Sequence, residues 1–596
     1  MVTGVRELLG RAWRQFTDDL NADPYLSYLL VLAAVLSGFW FWHRIPDFAT
    51  RDEKSRLLDV MVAFGTFLGD PGIESLREGV VWSRVPFGAT FYLFGLATLP
   101  VVTVAAVVGG LDAFVTLAPP SPEFGFYPAW HATPRWIWTW SLVLVRLFNV
   151  AFAVGAVYLT YRIGVAMRDR PTGRLAGLLL TLTFGFLTIA HEGGEDMPAL
   201  FFLLLALYLV LRYVRTGERS LFLAGSAFGG LAIAFKLTAA PVVLVIGAAY
   251  VLRANDPDSS LRDALVRPGL FVGGALAGVL AIVLGFPTAL VAGVDPLVER
   301  VFGGSFSRMD HATGPDAPIW WWFLRGYFSA LGLPLFVAAV GGCVASVVHL
   351  RRRTDGFDAT VLVVVALAAY LLMFSRWHDF RVHHLLPTFP LLVLLLAGAL
   401  VRFSARRPRI ARPIAALLLV TTAVYAGVGV AGYASMPRDE ATDWLNANAD
   451  ENATMEVYRR DVQDAAVPHW MTINHAYGSE GPAETLEPCP EYIQLGYRDL
   501  LYLKEGTYYR NSQPRAEYVR SLLDGEYGYE IVAEFGPRPP SFVPQRPTPG
   551  SLVDLLRLGV VPQTDQFADE QELAANQYTV ILRLTGECDR TRDPPF

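Results

Sequence analysis

The stretch Thr360–Phe374, TVLVVVALAAYLLMF, runs for fifteen residues without a single charge. Similar runs recur at Leu175–Ala190, Phe201–Leu211, Phe271–Leu290 and Leu391–Val401. About twenty apolar residues in a helix cross a hydrocarbon core of roughly 30 Å. Only helices and closed barrels satisfy their backbone hydrogen bonds inside that core. Because these runs show no strand-like alternation of polar and apolar residues, they predict an α-helical polytopic membrane protein.

The composition agrees with this fold class. Hydrophobic residues make up 53% of the 596 residues and charged residues only 17%, whereas a soluble protein carries about 25% charged residues. The first apolar run ends near Trp42 in bulky aromatic residues, with no small-residue cleavage site after it. We therefore expect this run to be a membrane anchor that is retained, and not a signal peptide.

Clusters of arginine indicate the orientation, because short loops rich in Lys and Arg stay in the cytoplasm. Such clusters lie at Arg6/Arg11/Arg14, Arg162/Arg168/Arg170/Arg174, Arg212/Arg215/Arg219, Arg253/Arg262/Arg267, Arg351–Arg353 and Arg402/Arg406/Arg407/Arg409/Arg412. Placing all of them inside predicts about eleven spans, with the N-terminus cytoplasmic and the C-terminus outside. The predicted spans are 26–42, 139–161, 175–191, 197–213, 220–235, 239–252, 269–290, 326–349, 359–375, 386–402 and 414–433.

The apolar run Phe87–Val108 does not fit this alternation of inside and outside loops. If it crossed the membrane fully, the Arg162–Arg174 loop would move outside, against the distribution of positive charge. We expect a helix or hairpin that dips into the outer leaflet, within a long first external loop over residues 43–138. The alternative is a true span whose partner span is missed.

The amino-acid composition of the chain changes after Tyr433. Residues 434–596 contain 27 Asp and Glu against 14 Lys and Arg, a net charge of −13. This acidic, Pro-rich and Tyr-rich segment predicts an extracytoplasmic soluble α/β domain at 434–596, which follows a transmembrane domain at 1–433. Cys489 and Cys588 both fall in the C-terminal domain, where they either pair as a disulfide or remain free.

Placing charged residues beside a membrane costs free energy, so each cluster of them indicates a functional or structural role. Asp52 and Glu53 lie about ten residues past the first span. A carboxylate at that outer interface can act as a general base on an acceptor hydroxyl. The alternative is an ordinary loop acid, or an acid at the start of a helix.

Two further external turns carry polar side chains. The turn His191-Glu192-Gly193-Gly194-Glu195-Asp196 holds three acids and a histidine, and Asp196 could instead cap the next helix. The turn after residue 375 contains Arg381, His383 and His384, which can hold a lipid-linked phosphate or simply anchor the chain at the interface. Because all three clusters fall on one side of the membrane, together with Arg84 and Lys236, they predict an outward-facing polar site fed from the lipid.

Four short motifs then suggest a family. They are Asp52-Glu53 after the first span, Gly194-Glu195-Asp196-Met197-Pro198 before a later helix, His383-His384-Leu385-Leu386-Pro387 in the last external turn, and Arg438-Asp439-Glu440-Ala441-Thr442-Asp443-Trp444-Leu445 at the start of the external domain. Their order and topology resemble the dolichyl-phosphate-mannose protein mannosyltransferase family of the C-type glycosyltransferase superfamily. The resemblance extends over most of residues 20–470.

The sequence departs from that family in two places. Ser83-Arg84-Val85-Pro86 stands where relatives often have Lys-Pro-Pro, and His383-His384 replaces Arg-Tyr. The second change exchanges a permanent cation for a titratable one, and Arg381 is close enough in sequence to take over the phosphate contact.

The resemblance implies an inverting transfer of one sugar, often mannose, from a polyprenyl or dolichyl phosphate to a protein, glycan or lipid hydroxyl. It implies Asp52 as the base, with Glu53 and Asp196 as further catalytic carboxylates. Glu195 and His191 would orient the acceptor. The leaving phosphate would be bound by Arg84, Arg381, His383 and His384. It requires no cofactor, leaves divalent metal open, and involves no nucleic acid.

Other functions remain open. Oligosaccharyltransferases share the superfamily, but their Trp-Trp-Asp signature is absent and Trp320-Trp321-Trp322-Phe323 fits an interfacial aromatic belt. A nucleotide-sugar enzyme could use Asp256 and Asp258 to bind a metal. A transporter or flippase for lipid-linked sugars would place its charges at the bilayer midplane and show repeat symmetry. A non-catalytic scaffold would use the external domain to bind a partner.

Overall fold

A computed structural model gives the architecture. It describes residues 2–42, 45–82, 88–117, 127–254, 268–299, 301, 318–352, 356–375, 377, 381–434, 437–458, 465–475, 489–504, 512–544, 550–562, 578–588 and 595–596. The protein is a bundle of long apolar helices followed by a small mixed sheet, so the predicted fold class is confirmed.

The helices up to residue 434 are numbered in chain order. They are α1 (Val2–Ala22), α2 (Pro24–Ser37), α3 (Arg51–Gly69), α4 (Ile73–Val81), α5 (Thr90–Val108), α6 (Asp112–Val115), α7 (Tyr127–Ala132), α8 (Arg135–Met167), α9 (Arg170–Thr181), α10 (Phe184–Ala190), α11 (Asp196–Thr216), α12 (Arg219–Phe235), α13 (Val242–Ala254), α14 (Gly269–Gly285), α15 (Pro287–Val291), α16 (Ile319–Leu331), α17 (Leu333–Leu350), α18 (Phe357–Phe374), α19 (Val382–Leu385), α20 (Thr388–Arg406) and α21 (Pro408–Ala434).

Among the residues described, eight helices are long and apolar enough to cross a membrane, or up to ten if two sharply bent pairs each form one span. The bent pairs are α1 with α2 and α9 with α10, and the two shorter apolar helices are α12 and α14. The protein is therefore a multi-pass membrane protein, although the number eleven is not confirmed. The predicted span 326–349 is interrupted at Gly332, whose φ of +71° ends α16 before α17 begins.

Helix α5 is continuous, so the hairpin alternative for this apolar run is wrong. Its start is held by a hydrogen bond from the Ala89 amide to the Ala234 carbonyl, next to Lys236. The loop after it packs against α3, where the Phe114 carbonyl meets Gly65. Helix α5 passes the length and composition test for a span, so the alternative of a true span stays open.

The C-terminal residues form a five-stranded sheet of order β2-β1-β3-β5-β4. β1 is parallel to both β2 and β3, whereas β5 is antiparallel to β3 and β4. The elements are α22 (Pro437–Asn448), β1 (Thr454–Val457), β2 (Thr472–His475), β3 (Tyr492–Gly496), α23 (Tyr497–Leu500), α24 (Gln513–Leu523), β4 (Tyr529–Phe535), α25 (Leu552–Val560) and β5 (Thr579–Leu584). A disulfide joins Cys489 to Cys588, so the paired alternative is confirmed.

The C-terminal residues pack on one end of the helix bundle, which we call the domain face. One apolar cluster contains Leu57 and Met61 of α3, Trp138 of α8, and Leu445 and Met455 from the C-terminal segment. The His469 ring lies 2.9 Å from the Trp130 carbonyl and 3.1 Å from the Thr133 carbonyl. This packing fixes the first loop and the C-terminal sheet on the same side as the start of α8. The division at residues 433 and 434 stays a prediction.

Candidate active site

Helix α3 begins at the domain face and places two adjacent carboxylates in different surroundings. The Glu53 amide donates to the Thr50 hydroxyl, and the Thr50 amide donates back to the Glu53 carboxylate at 2.8 Å. This capping box fixes the first turn of the helix. Because consecutive helical residues point about 100° apart, Glu53 turns into the protein while the Asp52 side chain remains half exposed.

Glu53 is fully buried, and both of its oxygens are engaged. The Arg146 guanidinium of α8 donates to them at 2.6 and 2.7 Å, and the Gly193 amide donates at 2.6 Å. Burial alone would raise the pKa of Glu53, but Arg146 and the amides of Gly193 and Thr50 hold that pKa below its usual value. Glu53 therefore ties together three segments of the chain: the first loop, α8 and the 191–196 turn.

The 191–196 turn is held rigidly against α8. The Asn149 side-chain amide donates to the Glu192 carbonyl and, at 3.4 Å, to the Gly194 carbonyl. A Cβ at Gly193 would lie 2.6 Å from a Val145 methyl and 3.1 Å from Glu53, so only glycine fits there. His191 is buried at the end of α10. The turn therefore presents the start of α11 in a fixed position.

A chain of alternating charges leads from Asp52 to Asp196. Arg56 Nη1 lies 3.0 Å from Asp52 Oδ1, and Arg56 Nε donates to Glu195 at 2.8 Å. Lys236 Nζ lies 2.5 Å from Asp196 Oδ1 and 3.8 Å from Glu195. Three carboxylates and two cations thus share one site. Asp196 is the first residue of α11 and pairs with Lys236, so the capping role considered for it is wrong.

The Asp52 side chain is accessible to solvent, and its carboxylate is stabilised in the charged form. Burial of the carboxylate would raise its pKa, but Arg56, and more weakly Lys236 and Arg381, lower it below the usual value. Because Arg381 acts on the Asp52 carboxylate, the turn that contains Arg381 lies near the start of α3. Asp52 is ionised at neutral pH, and its side chain is accessible to a hydroxyl group.

The two histidines that follow Arg381 lie on the short helix α19, just before α20. The Arg381 amide donates to His384 Nδ1 at 3.1 Å, and the His383 and His384 rings lie 4.2 Å apart. His384 is buried against Trp377, with ring centres 5.5 Å apart, whereas His383 is partly exposed. Of the predicted site residues, Arg84 lies outside the described residues, as do Asp256 and Asp258 of the alternative metal site.

A narrow cleft of about 10 Å³ lies beside the Asp196–Lys236 pair. Its walls are mostly apolar and come from four parts of the bundle. The lining residues are Asp196, Ala199, Leu200, Leu203, Lys236, Thr238, Ala239, Tyr370, Leu386 and Pro387. The Tyr370 side chain is fully buried, and its hydroxyl has no hydrogen-bond partner within the described part of the chain. The cleft thus has one charged end, mostly apolar walls, and the hydroxyl groups of Tyr370 and Thr238 as neutral polar groups.

Three residues of this site were not predicted from the sequence. Arg56 lies one helical turn from Asp52, a spacing that indicates an ion pair. Arg146 lies inside the predicted span 139–161, where a charge marks a functional or structural pair. Tyr370 carried no signal, because an aromatic residue in an apolar helix is usual. In the described ranges, no group of three or more His, Cys, Asp and Glu side chains is placed to hold a metal ion.

The lowered pKa of Glu53 leads to a pH prediction. A carboxylate with a lowered pKa in the folded state adds stability above its unfolded pKa, and this stability is lost as the pH falls through the folded value. We expect the difference in Tm between wild type and Glu53→Gln to stay constant between about pH 8 and pH 5. It should shrink only below the ordinary Glu pKa of 4.5. Thermal unfolding in detergent measures this, and a difference that disappears by pH 6 would contradict it.

Comparison with known proteins gives three findings. Residues 137–285 match the family model described as dolichyl-phosphate-mannose-protein mannosyltransferase. No curated protein matches the chain. Among solved structures, ArnT from Cupriavidus metallidurans bound to undecaprenyl phosphate is 14% identical with a TM-score of 0.46, covering 95% of this chain and 98% of that one. The apo oligosaccharyltransferase of Archaeoglobus fulgidus is 12% identical with a TM-score of 0.45, covering 95% and 89%.

The matched range contains much of the site, including Arg146, Glu195, Asp196 and Lys236. The segment begins near the start of α8 and ends at the last residue of α14. The match confirms over residues 137–285 the resemblance that the motifs predict, and this part of the chain is similar to the dolichyl-phosphate-mannose-protein mannosyltransferase family.

Proposed function

We propose that the protein transfers a single hexose, mannose or a related sugar, from a polyprenyl or dolichyl phosphate to a hydroxyl group of a protein, glycan or lipid. The observation that carries this proposal is the position of Asp52, half exposed and ionised, in a cluster that adjoins an apolar cleft. The matched family is described by a dolichyl-phosphate-mannose donor. Such a donor has one charged group and a long apolar tail. These two parts match the charged end and the apolar walls of the cleft.

The cleft suits a lipid phosphate in its distribution of charge. Lys236 lies at its polar end, and Leu200, Leu203 and Leu386 form walls that a prenyl chain can contact. Cations that lie close to a phosphate stabilise it through charge-assisted hydrogen bonds. Arg381 is a further cation near Asp52, in addition to Arg56 and Lys236. We assign phosphate binding to Lys236 and Arg381, with His383, His384 and Arg84 as the further residues expected from the sequence.

The reaction follows from the positions of these groups. Asp52 accepts the proton of the acceptor hydroxyl, whose oxygen forms a bond to the anomeric carbon. The bond from that carbon to the phosphate oxygen breaks, and the lipid phosphate leaves with the bonding electrons. Attack opposite to the leaving group inverts the anomeric configuration. Lys236 and Arg381 offset the charge that develops on the phosphate, which is the form of catalysis expected of fixed cations.

The remaining predicted residues hold the groups around Asp52 in position. Glu53 has both oxygens engaged by Arg146 and backbone amides, so we assign it to positioning the first loop and the 191–196 turn. Glu195 and Asp196 hold Arg56 and Lys236 in place, and Asp196 borders the cleft. His191 and Glu195 remain the residues expected to orient the acceptor.

The orientation is part of the proposal. Arg162 and Arg174 lie far along the bundle from the site, where they pair with Asp19 and Asp23 near the start of the chain. Short basic loops stay in the cytoplasm. We therefore place the N-terminus inside and the domain face, with residues 434–596, outside the cell membrane.

The donor class can be tested directly. Membranes that contain the protein are supplied with labelled polyprenyl-phosphate mannose, polyprenyl-phosphate glucose or the corresponding nucleotide sugars, and the label that leaves the donor is counted. We expect loss of label from at least one lipid-phosphate sugar, well above membranes without the protein, and none from nucleotide sugars. Use of a nucleotide sugar in washed membranes, where no lipid carrier can be loaded, would contradict the proposal.

The Tyr370 hydroxyl gives a sharper prediction about the same cleft. Because it is buried without a partner there, we expect it to donate a hydrogen bond to the phosphate or sugar of the donor. A hydrogen bond to a charged group contributes about 1.5–3 kcal/mol, so Tyr370→Phe should raise the KM for the donor roughly tenfold or more. Expression and Tm should be unchanged, because the Tyr370 hydroxyl makes no hydrogen bond to the described residues that the variant could remove.

The matched control is Tyr327→Phe. That buried tyrosine donates its hydroxyl to Thr388 at 3.0 Å and does not line the cleft. It should keep the wild-type KM for the donor. Equal values of KM for wild type and Tyr370→Phe would remove Tyr370 from the donor site.

A further inference from the structure

Helix α25, from the C-terminal part of the chain, has an unusual distribution of apolar residues. Leu552, Val553, Leu556 and Val560 are between 49% and 75% exposed. With 3.6 residues per turn they occupy one arc of about 100°. A water-facing helix of a soluble domain would place polar residues there. This face of α25 is therefore suited to contact with an apolar environment.

The opposite face of α25 is attached to the membrane helices. Leu555 and Leu558 are buried in the main core cluster of the bundle. The Trp321 indole donates to the Ser551 carbonyl at 3.2 Å, and the Tyr425 hydroxyl lies 2.8 Å from the Leu558 carbonyl. These contacts fix the helix in place on α16 and α21.

The depth of α25 follows from its contact with α17. A Cβ at Gly559 would lie 2.9 Å from Leu333 Cβ, so the backbone of α25 packs directly against the first residue of α17. Leu333 is the first residue of α17, a helix long and apolar enough to cross the membrane. A helix that packs across the end of a span lies at the boundary between hydrocarbon and water.

The exposed face of α25 continues an apolar surface of the bundle. Helix α17 is mostly exposed, since only 22% of its residues are buried in the protein. Its exposed side chains include Val337, Val340 and Val344, which are between 46% and 60% exposed. Side chains exposed on a span contact lipid. Because α25 crosses the end of that helix, its own exposed leucines and valines adjoin the same lipid. Arg557 is exposed at the edge of the arc, where a cation can reach lipid headgroups.

We infer that α25 is an interfacial helix whose Leu552, Val553, Leu556 and Val560 insert into the outer leaflet of the membrane, and that it anchors the C-terminal domain to the lipid. This inference does not depend on the proposed sugar transfer. It means that the domain at 434–596 is not wholly soluble, because one of its helices contacts the bilayer. The domain is thereby held at a fixed height beside the candidate active site.

Fluorescence quenching in lipid nanodiscs tests the inference on the full chain. Cys343 is the one cysteine outside the disulfide, so a Cys343→Ala background accepts a single new cysteine for labelling. Environment-sensitive probes are placed at Val553→Cys and at Leu556→Cys. Val344→Cys is the lipid-facing control and Asp524→Cys, exposed on the C-terminal domain, is the water-facing control.

We expect the probes on α25 to emit at shorter wavelength than the probe at residue 524. A quencher attached to the lipid should reduce their emission about as strongly as at residue 344, while iodide in the water should quench them several-fold less than at residue 524. Emission and iodide quenching like those of residue 524, in both variants, would overturn the inference. Disulfide cross-linking of two copies through Leu556→Cys at low protein density would also overturn it, because a second copy would then cover this face.

Discussion

Replacing Asp52 by asparagine is expected to reduce sugar transfer by about 10²–10⁴-fold, the usual contribution of a positioned general base. Asparagine has nearly the same shape, but its amide cannot take a proton from the acceptor hydroxyl. Because the Asp52 side chain is half exposed and its loss leaves Arg56 paired with Glu195, the variant should fold. Initial rates at saturating donor measure the effect, normalised to the amount of monodisperse protein.

The control is Glu74→Gln on the neighbouring helix α4. Glu74 is an exposed acid that pairs with Arg77 at 3.3 Å and lies outside the charge cluster. It should transfer sugar at the wild-type rate. If Asp52→Asn retained more than about a tenth of that rate, the base would have to be another group.

Replacing Glu53 by alanine is expected to affect folding far more than a surface change would. Both Glu53 and Arg146 are fully buried, and removal of Glu53 leaves the guanidinium without its carboxylate inside the bundle. Breaking a buried pair in this way costs about 3–5 kcal/mol. We expect low yield, a broad size-exclusion profile and a Tm well below that of wild type.

A second variant separates the ion pair from other effects of the truncation. In Glu53→Ala with Arg146→Leu, no unpaired charge remains, so part of the lost stability should return. The double variant should be more stable than Glu53→Ala alone, even if it remains inactive. A Glu53→Ala protein as stable as wild type would show that the pair does not hold the loop and α8 together.

The membrane fold could be predicted because hydropathy reports burial in lipid directly. Thr360–Phe374 and Leu391–Val401 lie on the helices α18 and α20, as their composition requires. Breaks in helices are harder to predict, because an apolar run does not show where the backbone bends. Gly332 interrupts the predicted span 326–349 with a positive φ, and the Tyr425 ring packs where a Cβ would lie. That ring is almost a hundred residues away in sequence, so no local pattern indicates it.

The sequence predicts the carboxylates of the candidate site better than its cations. Asp52, Glu53, Glu195 and Asp196 were identified because acids are scarce beside a membrane, and the structure places them around one cluster. The sequence could not show that Glu53 turns inward. The direction of that side chain depends on Arg146, whose contribution appears only once α8 packs on α3.

The most direct test of the central claim uses purified protein in proteoliposomes with a labelled polyprenyl-phosphate hexose and a hydroxyl acceptor. It follows two quantities, the label bound covalently to the acceptor and the labelled lipid in each leaflet. Covalent transfer that is present in wild type and lost in Asp52→Asn is the predicted result. Label that stays on the lipid while it crosses the bilayer, at a rate unchanged in Asp52→Asn, would contradict the account and indicate a transporter of lipid-linked sugars.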